Sequence, residues 1–288
     1  MSDDAIISVR GLVKSFVNEE GRRVRVLDDV AFDVRRGETL VIMGGSGCGK
    51  STLLNCLIGE YAPDAGHIFY HTSDMPEPRD IVGLDDDALN GIRRRFGILF
   101  QSGALFNSMT VAENVALPLR EHSYVDPSVI EIVVALKLQQ VHMLEHRDKM
   151  PAQLSGGQKK RAGLARATAL DPEVLFYDEP SAGLDPVTSA AIDTLIIDLS
   201  KKLHVTSVVV THEMDSAFRI ADRMCMLDKG RVLRIGTRDE FDVLRARREA
   251  DLTADEDRLI YQFLHGNANG PLTDASGLSE FEKLIIDG

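Results

Sequence analysis

Residues 44–51, Gly44-Gly45-Ser46-Gly47-Cys48-Gly49-Lys50-Ser51, carry the residue types and spacing of a loop that holds phosphate. Glycines let a backbone curl until several N–H groups point at one anion, and a helix starting there adds partial positive charge. In such a loop Lys50 neutralises β- and γ-phosphate oxygens and the Ser51 hydroxyl holds Mg²⁺, with Thr52 following in the first turn. The chemistry predicted is the binding of a nucleoside triphosphate. It requires a buried strand before the loop and a helix after it. Thr39–Met43 is apolar enough for the strand, and residues 51–58, with Leu53, Leu54, Leu57 and Ile58, have the spacing of a buried helix.

Further polar residues stand where predicted strands end or helices begin. Asp178 and Glu179 follow the apolar run 174–177. Asp178 suits a direct or second-sphere Mg²⁺ ligand, and Glu179 is placed to polarise an attacking water. Adjacent carboxylates are usually a solvated turn, but behind a buried strand such a pair is costly without a cation. His212 follows Thr206–Val210 and could donate to a γ-phosphate, although a lone histidine is more often structural. Gln101 closes a strand at 97–101. Ser155-Gly156-Gly157-Gln158 opens a helix, so its free N–H groups make a second potential anion site. Phe16, just ahead of the turn at 18–21, could stack on a nucleobase or simply fill a core.

The elements that would position these residues alternate. Strands are predicted at 6–9, 24–34, 66–71 and 97–101, a helical region at 110–170, then strand 174–177, a helix from Pro186, and strand Thr206–Val210. Strand 206–210 is apolar throughout and so should be central in a parallel sheet. Residues 72–90, rich in Asp and Pro, read as a surface excursion. Asp126 and Pro127 cap a helix on which Val129, Ile132, Val133 and Leu136 keep the spacing of one buried face. A short amphipathic helix follows His212, two strands flank Lys229-Gly230, and Thr237 with Glu240 forms a capping box. Beyond residue 246 come a charged stretch, a helix at 258–265 and a tail with Phe281, Leu284, Ile285 and Ile286.

The chain has 288 residues and a net charge of −12, from 33 basic and 45 acidic residues. That balance argues against a nucleic-acid surface, which needs clustered Lys and Arg. No run is long and apolar enough to cross a bilayer, and the acidic N-terminus does not read as a secretory signal, so membrane association is expected to go through a partner. The three cysteines, Cys48, Cys56 and Cys225, lack metal spacing and read as small buried hydrophobes. Cys48 is the exception: in the phosphate loop it is expected to be alkylated, with ATP protecting it.

The motifs GGSGCGKST at 44–52, Gln101, LSGGQ at 154–158, YDEP at 177–180, SAGLD at 181–185 and His212 each occur once, in that order. The chain thereby resembles the ATPase subunits of ATP-binding cassette transporters over about residues 5–245. The resemblance implies an α/β fold of the P-loop NTPase (RecA-like) type, with a parallel sheet core, an antiparallel β edge and an inserted α-helical subdomain. The core would span about 5–101 and 172–245, the subdomain about 102–171, and a C-terminal extension 246–288 that contacts a second copy or another partner. It implies ATP with Mg²⁺ in a head-to-tail homodimer. Ser155, Gly156 and Gly157, with Gln158, would complete the γ-phosphate site formed by Lys50, Ser51 and Asp178 of the other copy. Gln101 would sense Mg²⁺ and water, Glu179 act as general base, His212 hold the γ-phosphate, Asp185 couple the two sites and Phe16 stack on adenine.

A narrower likeness lies in FQSGALF at 100–106, ENVALPLREH at 113–122 and FLHGNANGPL at 263–272. These resemble the ATPase of lipid transporters that work with mammalian-cell-entry (MCE) proteins, including the maintenance-of-lipid-asymmetry system. The implied partners are a multi-spanning permease dimer, an MCE-domain substrate-binding protein and a small accessory subunit, with no nucleic acid. The implied place is the cytoplasmic face of the inner membrane, as a peripheral protein. Ala104, Leu105, Phe106 and Met109 are either a groove for a permease's cytoplasmic helix or subdomain core.

Overall fold

The structure is a computed structural model and describes residues 4–19 and 21–267. Two sheets form the frame. Strands β1 (Ala5–Val17), β2 (Arg23–Arg35), β3 (Thr39–Met43), β4 (Ala65–Tyr70), β5 (Arg79–Asp80) and β6 (Phe96–Leu99) come first. β7 (Val174–Asp178), β8 (Thr206–Val210), β9 (Arg223–Asp228) and β10 (Arg231–Thr237) follow. A four-stranded antiparallel sheet runs β2-β1-β4-β5, and a six-stranded sheet runs β10-β9-β3-β8-β7-β6. In the second, β9, β3, β8, β7 and β6 are parallel and only β10 is antiparallel. β8 lies between β3 and β7, as its unbroken apolar run requires. The expected α/β architecture, a parallel core with an antiparallel edge, is what the chain adopts.

The helices are α1 (Lys50–Leu57), α2 (Asp86–Arg93), α3 (Val111–His122), α4 (Pro127–Gln140), α5 (Gly156–Ala167), α6 (Pro186–Leu203), α7 (Met214–Ile220), α8 (Arg238–Ala246) and α9 (Asp255–His265). Alternate residues of the buried strands divide the core between two faces. Leu40, Ile42, Phe176 and Val208 pack with α1, α2 and the antiparallel sheet. Val41, Met43, Tyr177 and Val209 pack with residues of α3 to α9. Helices α3, α4 and α5 are inserted between β6 and β7. Among the described residues no helix is long and apolar enough to cross a membrane.

Three readings of the sequence need correction or completion. Residues 72–90 are not wholly a surface excursion: Asp85 caps α2 by accepting from Ala88 N–H, and Leu89 and Ile92 are buried. A two-residue strand, β5, also pairs with β4 in this stretch. On α4 the predicted face is the wrong one. Val129, Ile132 and Leu136 are 43%, 60% and 58% exposed and of the predicted four only Val133 packs partly on the core, while Ile130, Val134 and Leu138 are buried. The helix is apolar nearly all round, so periodicity alone could not choose its phase. The apolar tail, Phe281, Leu284, Ile285 and Ile286, lies outside the described residues.

The two faces of α4 separate in a stability measurement. Leu138→Ala removes a side chain from the core and should cost about 2–5 kcal/mol in urea unfolding. Leu136→Ala, on the exposed face, should stay within about 0.5 kcal/mol. Equal losses at both positions would contradict the placement.

Candidate active site

The parallel register brings chemistry-bearing residues to one edge. Ile42 pairs with Val210, Val210 with Asp178 and Leu99 with Tyr177. The C-terminal ends of β3, β8, β7 and β6 are therefore level and adjacent, and the chain leaves them through the phosphate loop, His212, Glu179 and Gln101. These meet around a cavity of about 850 Å³ lined by Gly45, Ser46, Gly47, Lys50, Ser51, Gln101, Asp178, Glu179 and His212.

The loop takes its shape from close packing. Gly44, with φ of 153°, approaches the Leu227 carbonyl so closely that a Cβ would sit 2.1 Å from the oxygen. Gly49, with φ of 108°, caps α1 in a conformation that other residues rarely adopt. At Gly45 and Gly47, by contrast, nothing lies within 4 Å of an added Cβ, so the cavity side of the loop is open. Lys50, at the start of α1, donates from Nζ to the carbonyls of Gly44 and Gly45 at 2.8 and 2.9 Å. An ammonium has three donors, and the third meets only the Cys48 sulfur at 3.9 Å, a weak acceptor that a phosphate oxygen would displace.

The acidic side is held from several directions. Glu179, one residue beyond β7, has the left-handed φ of 47°. Its N–H donates to the Val210 carbonyl at 2.9 Å, and its carboxylate accepts from the Thr211 hydroxyl at 3.1 Å. His212 Nδ1 lies 2.8 Å from the other carboxylate oxygen. A carboxylate only accepts, so this bond places the Nδ1 proton on the ring; His212 can donate from Nε2 at the same time only as an imidazolium. Burial pushes the Asp178 carboxyl above its ordinary range, the neighbouring Glu179 pushes the same way, and Lys160 and Lys50 oppose both.

The donor set fits Mg²⁺. The Ser51 hydroxyl, the Gln101 amide and the Asp178 carboxylate are all hard oxygen donors. Among the described residues no cluster of three or more His, Cys, Asp or Glu could hold a metal by itself. A cation here would thus take the remainder of its shell from phosphate and water, as Mg²⁺ does in nucleotide sites.

The remaining predicted residues fall into a second group. Ser155 caps α5 in a reciprocal box with Gln158. Asp185 caps α6, accepting from Val187 and Thr188, and these bonds hold its carboxyl below the usual range. The two turns touch: a Cβ on Gly157 would come within 2.6 Å of the Thr188 side chain, and one on Gly156 within 3.3 Å of Leu184. Ser155, Gly156, Gly157, Gln158 and Asp185 are thus brought to one another and not to the cavity. Phe16 is not core: it is 38% exposed, edge-on to Tyr61 with centroids 5.5 Å apart. Thr52 follows Ser51 in α1 and does not line the cavity.

Sequence reasoning missed one wall. Phe263, Leu264, His265 and Asn267, at and beyond the end of α9, line the same cavity as the phosphate loop. They lie in the stretch FLHGNANGPL, whose likeness to lipid-transport ATPases says nothing of where it sits in the fold. The amphipathic spacing of 258–265 likewise gave a helix but not its place.

Cys48 also needs correction. Its side chain turns inward, 6% exposed, with Sγ 3.9 Å from Lys50 Nζ. Burial pushes its thiol up from the ordinary range, through desolvation. The thiolate is the nucleophile, so alkylation of the folded protein should be slow, should rise with pH later than for a free thiol, and should be little changed by ATP. Mass-spectrometric labelling that is as fast as in urea would contradict the buried placement.

The profile of the ABC transporter family matches residues 27–182. A curated relative in Mycobacterium leprae, named a probable ribonucleotide transport ATP-binding protein (mkl), is 40% identical over 98% of this chain and 76% of its own length. The intermembrane phospholipid transport system ATP-binding protein MlaF of Haemophilus influenzae is 36% identical over 96% of this chain and 97% of its own. Among solved structures, a dimeric post-hydrolysis state of the ATP-binding cassette MJ0796 with ADP and phosphate has a TM-score of 0.71. It is 31% identical, covering 80% of this chain and 98% of that one. The chain belongs to the ABC transporter family as an ATP-hydrolysing cassette that binds ATP with Mg²⁺.

Proposed function

We propose that this chain powers a membrane permease that moves phospholipid or a related hydrophobic substrate together with an MCE-domain protein, from the cytoplasmic face of the inner membrane. The observation that carries the catalytic part is the division of the motifs. The phosphate loop, Gln101, Asp178, Glu179 and His212 share one cavity, and Ser155, Gly156 and Gly157 lie outside it. A second copy placed head to tail would supply the missing donors. The lipid cargo rests on the likeness to MlaF over nearly the whole of both chains and on the sequence stretches at 100–106, 113–122 and 263–272.

In this reading the backbone N–H groups of residues 45–51 and the Lys50 ammonium bind the phosphates. Ser51, Gln101 and Asp178 hold Mg²⁺, which neutralises charge on the transferring phosphoryl group. Glu179 accepts the proton of the attacking water, and His212 orients that carboxylate through Nδ1 while facing the γ-phosphate with Nε2. Asp185 lies beside the Ser155 turn, where it couples the two sites, and Phe16 offers an exposed ring to adenine. Positioning and charge stabilisation supply most of the catalysis. Glu179→Gln should bind ATP normally, lose hydrolysis by about a hundredfold or more and accumulate as a dimer with ATP. A variant that stays monomeric at saturating ATP would refute the assignment.

The permease contact is proposed at a second cavity, of about 530 Å³, lined by Phe100, Ala104, Phe106, Leu117, Pro118 and Leu170. Phe106 is 51% exposed, and Ala104 joins it in the wall, so these two face a groove while Leu105 packs partly on the core. The apolar lining fits one face of an amphipathic cytoplasmic helix. Purifying the tagged chain from gently solubilised membranes should recover a multi-spanning permease, an MCE protein and phospholipid. Phe106→Glu should lose the permease while still binding ATP. The name of the mkl relative favours one second reading, a nucleotide cargo. A complex that carries ribonucleotide and no lipid would support it and overturn the first.

A further inference from the structure

Lys160 belongs to no motif of the site, yet it is the most buried lysine beside it. It lies on the second turn of α5, the helix that starts at Ser155-Gly156-Gly157, and is 4% exposed. Its Nζ donates to the backbone carbonyl of Glu179 at 2.9 Å. That carbonyl also accepts from Ala182 N–H at 3.2 Å. Glu179 is a non-glycine residue at φ of 47°, a conformation that persists only where its surroundings enforce it. The ties on its main chain are therefore specific: Val210 from β8, Ala182 from the following turn, and one side chain from α5.

The far end of α5 is fixed. A Cβ on Gly97 of β6 would lie 2.1 Å from the Ala167 carbonyl, and one on Gly163 would lie 2.9 Å from the Gly103 carbonyl. Such contacts leave helix and sheet little room to slide. Ser155 and Lys160 are separated by little more than one helical turn, so a force on the cap is felt at the ammonium.

We propose that Lys160 is a positioning residue for hydrolysis: it holds the main chain of Glu179 in its left-handed conformation and links that carboxylate to the turn Ser155-Gly156-Gly157. The inference rests on the assignment of Glu179 as the base and of the Ser155 turn as the partner-facing anion site. It adds a route between them within one chain. When a second copy's nucleotide engages the α5 N-terminus, the base of the same chain is set through one hydrogen bond. Lys160 does not touch the phosphates.

The test compares Lys160→Met, Lys160→Arg and Glu179→Gln in the full chain purified with its membrane partners, with kcat and KM for Mg-ATP and melting temperature measured for each. Lys160→Met keeps the bulk and loses the donor. Its kcat should fall about ten- to hundredfold with KM within about twofold, since a small misplacement of a catalytic group costs that much. Lys160→Arg, which keeps a donor, should recover most of the loss. A Lys160→Met enzyme with wild-type kcat would overturn the proposal, as would an Arg variant as slow as Met or losses that merely follow a lowered melting temperature. If Lys160→Met does not fold, Lys160→Leu takes its place, with the same split in kcat and KM expected. Should Glu179→Gln hydrolyse ATP at the wild-type rate, the reading of the site fails instead, and the two failures are thereby distinguished.

Discussion

The site depends on the register of four parallel strands that cannot slip. Every residue of β3 and β8 is buried, and so are the first four of β7. A shift of one residue would move each of these side chains to the opposite face of the sheet and exchange the two cores. The register therefore places Ile42, Val210 and Asp178 at one level, with Leu99 beside Tyr177 one residue back, and the polar residues that follow within two positions have to meet. Catalytic geometry here is a by-product of hydrophobic pairing. The glycines of the loop then allow β3 to turn away at once, because Gly44 passes against Leu227 of β9 where a side chain would collide.

That logic explains what the sequence makes legible. Short, wholly apolar runs that end in Asp178, His212 or the glycine loop can be read without coordinates, because burial and chain direction are both written in them. Helix α4 could not be read in the same way. It has apolar residues at 129, 130, 132, 133, 134, 136 and 138, so two stripes compete. The choice is made by the packing of α3 and α5, which no local window contains. Helix α2 hides in a stretch dominated by Asp and Pro, with only Leu89 and Ile92 to anchor it. At Cys48 the motif gave the place but not the direction, since backbone angles in a glycine loop decide which side chains turn inward. The wall made by α9 joins residues far apart in sequence, and nothing at 262–267 announces a cavity.

Charge placement around the cavity is costly, and the fold shows how the cost is divided. Asp178 and Glu179 are adjacent, and burial disfavours the ionised forms of Asp178 and of Lys160. Most such groups elsewhere on this chain lie in exposed ion pairs, where the penalty is small, such as Arg25 with Asp28. Here Glu179 and Lys50 are restrained by neutral partners as well. Thr211 and the Val210 carbonyl hold Glu179, and the carbonyls of Gly44 and Gly45 hold Lys50. Dipoles that are already oriented need not reorganise when charge moves, which is how a partly buried polar site favours phosphoryl transfer over mere binding.

The insertion of α3, α4 and α5 also has a consequence for how two copies would act together. The insert departs just after Gln101, at the end of β6, and returns through α5 into β7, which ends at Asp178 and Glu179. Both of its roots therefore lead to residues that line the cavity. On the proposed reading, the Ser155 turn carried by this insert meets the nucleotide of a second copy, while the apolar groove at Phe106 meets a permease. A displacement of the groove cannot leave the Ser155 turn unmoved, since Arg166 of α5 donates to the carbonyls of Gly103 and Ala104. Nor can it leave the strand ends untouched, since Gly97 and Ala167 are in close contact. Coupling between membrane and nucleotide then needs no dedicated relay. On that reading it follows from inserting the groove between the two strands that lead to Gln101 and Asp178.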